Sequence, residues 1–119
     1  MGIMNLGYVI LEMQDPAKWS KFAQDILGFG EAESFGEIGT KYLRMDNAPF
    51  RYMVRKGNKD RFLAGGYEIS SKSDFENQIE LFEGSGIDVY RGTKAEADCR
   101  AVEAFVSVKD PSGNTVEIF

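Results

Sequence analysis

The sequence predicts an α+β domain built from two paired βαβββ units, on three observations. Two stretches carry apolar residues at helical spacing, and glycine closes each of them. Short runs of alternating or β-forming residues lie between and around them. The second half of the chain also repeats the first at a fixed offset. With 119 residues, 43% of them hydrophobic, the chain is long enough to bury one core and too short for two. It is therefore read as one domain over residues 1–119, internally duplicated as 1–60 and 61–119.

In chain order, Leu6–Met13 reads as a strand. Asp15 is a good N-cap and Pro16 suits the first helical position; Trp19, Phe22, Ala23, Ile26 and Leu27 then recur at helical spacing until Gly28 ends the turn. Phe29–Ile38 is a weaker segment, read as an edge strand, and Tyr42–Met45, Arg51–Arg55 and Leu63–Ser70 read as strands. A second helix is expected from about Ser73, with Glu76 three residues on as a capping box. Phe75, Ile79 and Phe82 form its stripe, and Gly84 and Gly86 terminate it. Ile87–Tyr90, Val102–Val108 and Thr115–Phe119 complete the strands, with Gly92–Arg100 as a loop.

The repeat is visible at an offset of 56, which lays Glu12 on Glu68, Trp19 on Phe75, Ala23 on Ile79, Ile26 on Phe82, Gly28 on Gly84 and Gly30 on Gly86. Allowing an insertion in the Gly92–Arg100 loop moves the offset to 64, where the turn Asp46–Pro49 lies over Asp110–Gly113 and Met53 over Glu117. Neither unit can bury its sheet alone. Pairing is expected, each sheet with its helix on one face and the other face curving around a shared cleft.

Composition removes several classes of function. The formal charge is −5, and all the excess acid lies in the second half, where 6 Lys and Arg stand against 11 Asp and Glu; residues 1–60 balance at 8 and 8. Nucleic acid and anionic membrane surfaces need clustered basic charge and are not expected partners. The opening MGIMNLGYVILEMQD lacks a basic n-region, and Asn5, Gly7 and Glu12 interrupt its apolar run, so it reads as a strand and not a signal peptide. A lone cysteine, Cys99, makes no internal disulfide, which fits a reducing, cytoplasmic setting. There is no histidine. Ser-His-Asp and Cys-His chemistry are excluded with it, as is a two-His-one-carboxylate iron site.

The candidate site residues centre on the closing DPSGNTVEIF, where a turn feeds a strand whose carboxylate, Glu117, points away from Val116 and Ile118. Its structural reading is a carboxylate held inside the cleft or paired with Arg44, Arg51 or Arg55, and this reading is preferred to a metal role. Tyr8, Tyr42, Tyr52 and Tyr67 suit sheet packing better than a pocket for a small aromatic ligand. Trp19 is read as helix core. Cys99, with no histidine to activate it, is read as incidental, Gly65-Gly66 as a close backbone approach or bulge, and Arg91-Gly92 as a strand exit.

The paired βαβββ pattern and the closing DPSGNTVEIF resemble the vicinal oxygen chelate superfamily, which holds glyoxalase I, bleomycin-resistance proteins and type I extradiol dioxygenases. Three stretches are similar to the amino-terminal domain of extradiol dioxygenases of the 2,3-dihydroxybiphenyl 1,2-dioxygenase type: LGYVILEMQDPAKWSKFAQDILGF, LAGGYEISSKSDFENQIELFEGSGIDVYRG and CRAVEAFVSVKDPSGNTVEIF. The resemblance implies metal ligands at corresponding corners of the first and last strands of each unit. Here those corners are Tyr8, Met53, Ala64 and Glu117, of which only Glu117 is an ordinary ligand. A phenol, a thioether, a methyl group and one carboxylate do not outcompete water for a hard divalent ion.

The function the resemblance implies is therefore that of a metal-free amino-terminal domain in a ring-cleaving dioxygenase of aromatic degradation. No cofactor is expected in this chain, and Fe(II) is expected in the parent enzyme. The chain stops at the end of its final strand, as expected of a domain taken from a longer protein. The expected partner is a second, catalytic domain or another copy of the chain. The alternative is a stand-alone binding protein of the bleomycin-resistance type, closing its cleft as a dimer; a glyoxalase-type enzyme is disfavoured by the missing ligands.

Overall fold

The computed structural model describes residues 2–119. Its elements run β1 (Ile3–Met13), α1 (Pro16–Asp25), β2 (Gly30–Glu31), β3 (Lys41–Arg44), β4 (Tyr52–Lys56), β5 (Arg61–Ile69), α2 (Lys72–Gly84), β6 (Tyr90–Arg91), α3 (Lys94–Cys99), β7 (Val106–Lys109) and β8 (Thr115–Ile118). This is the expected α+β order with one addition, the short helix α3. The contacts divide it into an amino-terminal unit, Tyr8–Leu63, and a carboxy-terminal unit, Ala64–Phe119 with the opening residues through Gly7.

In the amino-terminal unit the strands lie in the order β2-β3-β4-β1. β1 and β4 are parallel, with Val9 beside Tyr52 and Ile10 beside Met53, while β3 runs antiparallel to both β4 and β2. α1 starts as expected: the Asp15 carboxylate accepts from the Lys18 N–H at 3.0 Å and Pro16 opens the first turn. Its buried face is narrower than the apolar spacing suggests. Ala23 is fully buried with Leu43 and Val54, and Trp19 packs at the margin of that cluster with Leu11, Met13, Phe29 and Tyr52. Phe22, Ile26 and Leu27, expected on the stripe, are exposed, Ile26 at 70%. The helix ends at Asp25, and Gly28 reverses the chain in the left-handed region at φ +79°. The expected edge strand Phe29–Ile38 shrinks to Gly30–Glu31.

In the carboxy-terminal unit the order is β1-β5-β8-β7-β6, with β5 and β8 parallel and β7 antiparallel to both β8 and β6. α2 buries Phe75 and Ile79 against Ile69, Val106 and Ile118, with Phe82 partly buried beside them, as its stripe predicts. The cap differs from expectation. Ser71 is the N-cap and its hydroxyl accepts from the Asp74 N–H, so the cap lies two residues before Ser73 and Glu76 is no capping-box partner; Glu76 pairs instead with Arg91 at 3.5 Å. At the other end the Ile87 N–H reaches the Phe82 carbonyl and the Gly86 N–H the Glu83 carbonyl, with Gly86 at φ +77°, a Schellman ending.

Two expected strands are shorter than predicted. Ile87–Tyr90 gives way to Tyr90–Arg91, with Ile87 tied to the end of α2 through the Phe82 carbonyl, and Val102–Val108 gives way to Val106–Lys109, its first residues forming the exit of α3. α3 carries a full capping box: the Thr93 hydroxyl accepts from the Glu96 N–H, and the Glu96 carboxylate accepts from the Thr93 N–H. It closes with the same Schellman bonds as α2, Val102 N–H to the Ala97 carbonyl and Ala101 N–H to the Asp98 carbonyl. The left-handed residue here is Ala101, at φ +56°, where glycine is preferred.

Candidate functional site

Side chains alternate across each sheet, so the residues facing away from the helices are set by register. In the amino-terminal unit Tyr8, Ile10 and Met53 share that face, since Ile10 lies beside Met53. All three are buried, Tyr8 with its ring 5.6 Å from Phe50, which in turn meets Tyr42 edge-on at 5.1 Å. In the carboxy-terminal unit Gly66 lies beside Glu117, and Ala64, two residues earlier, joins them on the same face. The ladder is regular from Ala64 to Tyr67, so Gly65-Gly66 makes no bulge there; Gly66 simply presents no side chain opposite Glu117. The two corners of each unit therefore come together within that unit, as their strand positions imply.

Glu117 is only 3% exposed, and both carboxylate oxygens are engaged. Arg100 donates from Nε to Oε1 at 2.7 Å and from Nη2 to Oε2 at 2.9 Å, a two-pronged pair, with the Arg100 side chain 6% exposed. The third guanidinium nitrogen, Nη1, donates to the Glu96 carbonyl at 3.0 Å. The ring of Phe105 lies under the guanidinium carbon at 4.1 Å. Gly92 makes room for that ring: a Cβ there would come within 2.1 Å of it. Around the pair, the Thr93 N–H and the Tyr90 hydroxyl hold the Glu96 carboxyl below the usual carboxylate range, and the same bond from Tyr90, at 2.6 Å, raises the tyrosine's own pKa.

The structure thus corrects the partner of Glu117. Two of the three expected arginines are committed elsewhere: Arg51 is forked onto Asp46, with Nη2–Oδ2 at 2.8 Å, and Arg55 onto Glu37 at 2.6 and 3.0 Å. The sequence reading takes Gly92–Arg100 as a loop that absorbs an insertion in the repeat, yet Thr93 and Glu96, three apart, carry the signature of a helix start. What the sequence could not display is that the residue after this helix turns inward.

The remaining candidates resolve as packing. Tyr8 and Tyr42 lie in the aromatic cluster with Phe50, Tyr52 packs between Trp19 and Phe29 at 5.7 and 5.3 Å, and Tyr67 joins the α2 core. Cys99 ends α3, half-buried. Among the described residues, no three His, Cys, Asp or Glu side chains gather as a metal centre needs. The four corner side chains do not fit a divalent ion: three are a phenol, a thioether and a methyl group, and the fourth already holds a guanidinium.

Residues 6–57 match the family model described as dihydroxybiphenyl dioxygenase BphC D1, a span that falls on the amino-terminal unit. An iron-dependent extradiol dioxygenase of Rhodococcus jostii is 29% identical over the whole chain, which covers 39% of that protein. A 3-methylcatechol 2,3-dioxygenase of Pseudomonas putida is 33% identical, again over the whole chain and 40% of the relative. Among solved structures, a catechol 2,3-dioxygenase superposes with a TM-score of 0.92 at 28% identity, over all of this chain and 42% of that one. A halotolerant catechol dioxygenase, BphC, gives 0.89 at 27%, over 98% of this chain and 39% of that one. The fold is that of the vicinal oxygen chelate extradiol dioxygenases, and the chain is similar to them in sequence. Within that group the chain matches the amino-terminal domain, and it spans about two fifths of the length of the relatives it resembles.

Proposed function

We propose that the chain serves as the metal-free amino-terminal domain of a ring-cleaving extradiol dioxygenase in aromatic degradation, with Fe(II) and the catechol bound by a second domain. The observation that carries this reading is the Arg100–Glu117 pair: the one carboxylate among the four corners has both oxygens taken by a guanidinium. The names of the relatives support this activity and substrates of the catechol and biphenyl-2,3-diol kind. In this reading the domain contributes fold, a surface for its catalytic neighbour and nothing to the metal, inside a reducing cytoplasm. No helix among the described residues is long and apolar enough to cross a membrane.

The test uses the parent protein, encoded by the complete open reading frame, beside the 119-residue chain. Oxygen uptake is measured with catechol, 3-methylcatechol and biphenyl-2,3-diol, and iron by elemental analysis after dialysis. The parent is expected to hold iron and consume oxygen, and to keep both in a Glu117→Gln variant that remains folded; the chain alone is expected to hold none. Stoichiometric metal in the chain, or a folded Glu117→Gln parent stripped of iron, overturns the proposal. A tight dimer stabilised by a bulky cationic antibiotic would point instead to a binding protein of the bleomycin-resistance type.

A further inference from the structure

The corner at Glu117 is built around a planar cation. Its carboxylate meets Arg100 on two parallel bonds, the Glu96 carbonyl takes the third nitrogen, and Phe105 presents its ring face at 4.1 Å. Three partners lie at the edge and one beneath the plane, a set that suits a guanidinium and suits neither a spherical metal ion nor an ammonium. Everything that assembles it comes from one short stretch and one strand. α3 supplies the carbonyl, its C-cap supplies Arg100, Phe105 follows, and β8 supplies the carboxylate. The backbone just after Arg100 is held at φ +56° on Ala101, which an L residue adopts only under constraint.

We propose that this corner is a guanidinium-binding site filled from within: Arg100 is the domain's built-in cation, and α3 is the element that delivers it. This rests on the metal-free reading above, because a metal at Glu117 would need the oxygens that Arg100 occupies. Arg100 is a positioning residue; it neutralises a buried carboxylate and fixes the Lys94–Phe105 stretch onto the last strand.

Chemical rescue tests the site. Arg100→Ala removes the fork and leaves a cavity of guanidinium shape beside a buried charge, and its melting temperature is expected to fall by more than about 10 °C. Millimolar ethylguanidinium chloride should restore several degrees to this variant, leave the unaltered chain unmoved, and do nothing for the double variant Arg100→Ala, Glu117→Gln. Arg100→Lys, which keeps the charge without the fork, should fold and melt between the unaltered chain and Arg100→Ala, and it keeps the test open if Arg100→Ala does not fold. The proposal is overturned by an Arg100→Lys chain as stable as the original, by ethylguanidinium rescue that survives loss of Glu117, or by equal rescue with ethylammonium or manganese(II). Elemental analysis of the unaltered chain is independent of these melts. Metal found there would sink the metal-free reading, whereas a failed rescue without metal would sink only the guanidinium site.

Discussion

Ala101 and Gly86 occupy the same place in two Schellman endings, one with a Cβ and one without. The left-handed region disfavours an L residue by about 1–2 kcal/mol, so Ala101→Gly should stabilise the chain by about 0.5–1 kcal/mol. Gly86→Ala should destabilise by about 1 kcal/mol. Urea midpoints of the two variants check both, and shifts of the same sign would show that the endings are not equivalent. Alanine survives at position 101 because Arg100, immediately before it, is committed on three nitrogens and carries the backbone with it. A similar dependence holds at Gly92. Its missing Cβ admits the Phe105 ring, so Gly92→Ala should displace that ring from Arg100 and destabilise by about 1–3 kcal/mol in the same assay.

At the level of elements, burial decides how much each helix contributes. Trp19 packs at the margin of its cluster and is only partly buried, so Trp19→Ala should destabilise by about 2–3 kcal/mol, below the 3–5 typical of a fully buried aromatic. A loss near zero in urea unfolding would place the ring outside the core. At α2 the N-cap is Ser71, and Ser71→Ala should cost about 1 kcal/mol while Glu76→Gln leaves the unfolding midpoint nearly unchanged. The helices that the sequence displayed well are those with a clear stop: Gly28 and Gly86 both lie in left-handed turns. The apolar spacing of α1 misled where Phe22, Ile26 and Leu27 are concerned, because spacing reports which residues share a helix face and not whether anything covers it. α3 was missed for the opposite reason. It is a single capped turn and a half with too few apolar residues to make a stripe, and its largest buried side chain is an arginine beyond its end. Of the candidate site, the four corners were legible from strand position; the partner of Glu117 was not, since an ion pair seventeen residues apart leaves no periodic trace.

For the whole chain, acid should be the more damaging direction. Arg61 and the Lys59 N–H hold Glu12 below the ordinary carboxylate range, Arg51 does so for Asp46, the Ser70 hydroxyl for Asp74, and the Asn114 N–H for Asp110. A carboxyl whose folded pKa lies below its unfolded one stabilises the fold above the unfolded value, and that contribution is lost as pH falls through the folded value. Urea midpoints should therefore be level from neutral pH down to about 5 and fall below about 4. Glu12→Gln should shallow that fall, because Glu12 ties the 57–61 turn through Lys59 and Arg61. An unchanged slope would remove Glu12 from the account. The exposed Phe22, Ile26 and Leu27 at the end of α1 and just beyond it make weak self-association the expected behaviour of the isolated chain, with Ile26→Lys reducing it in sedimentation velocity over a wide concentration range.

The parallel pairs also bear on how the protein is made. β1 finds β4 only after the whole of the first unit has been synthesised, and β5 waits longer still, for β8, since Ala64 lies beside Thr115 and Tyr67 beside Ile118. Pairings this distant in sequence are slow to form, and until they do an edge stays open to other chains. On the ribosome, then, the second unit cannot close until its last four-residue strand has emerged, and the Glu117 that Arg100 awaits arrives with it.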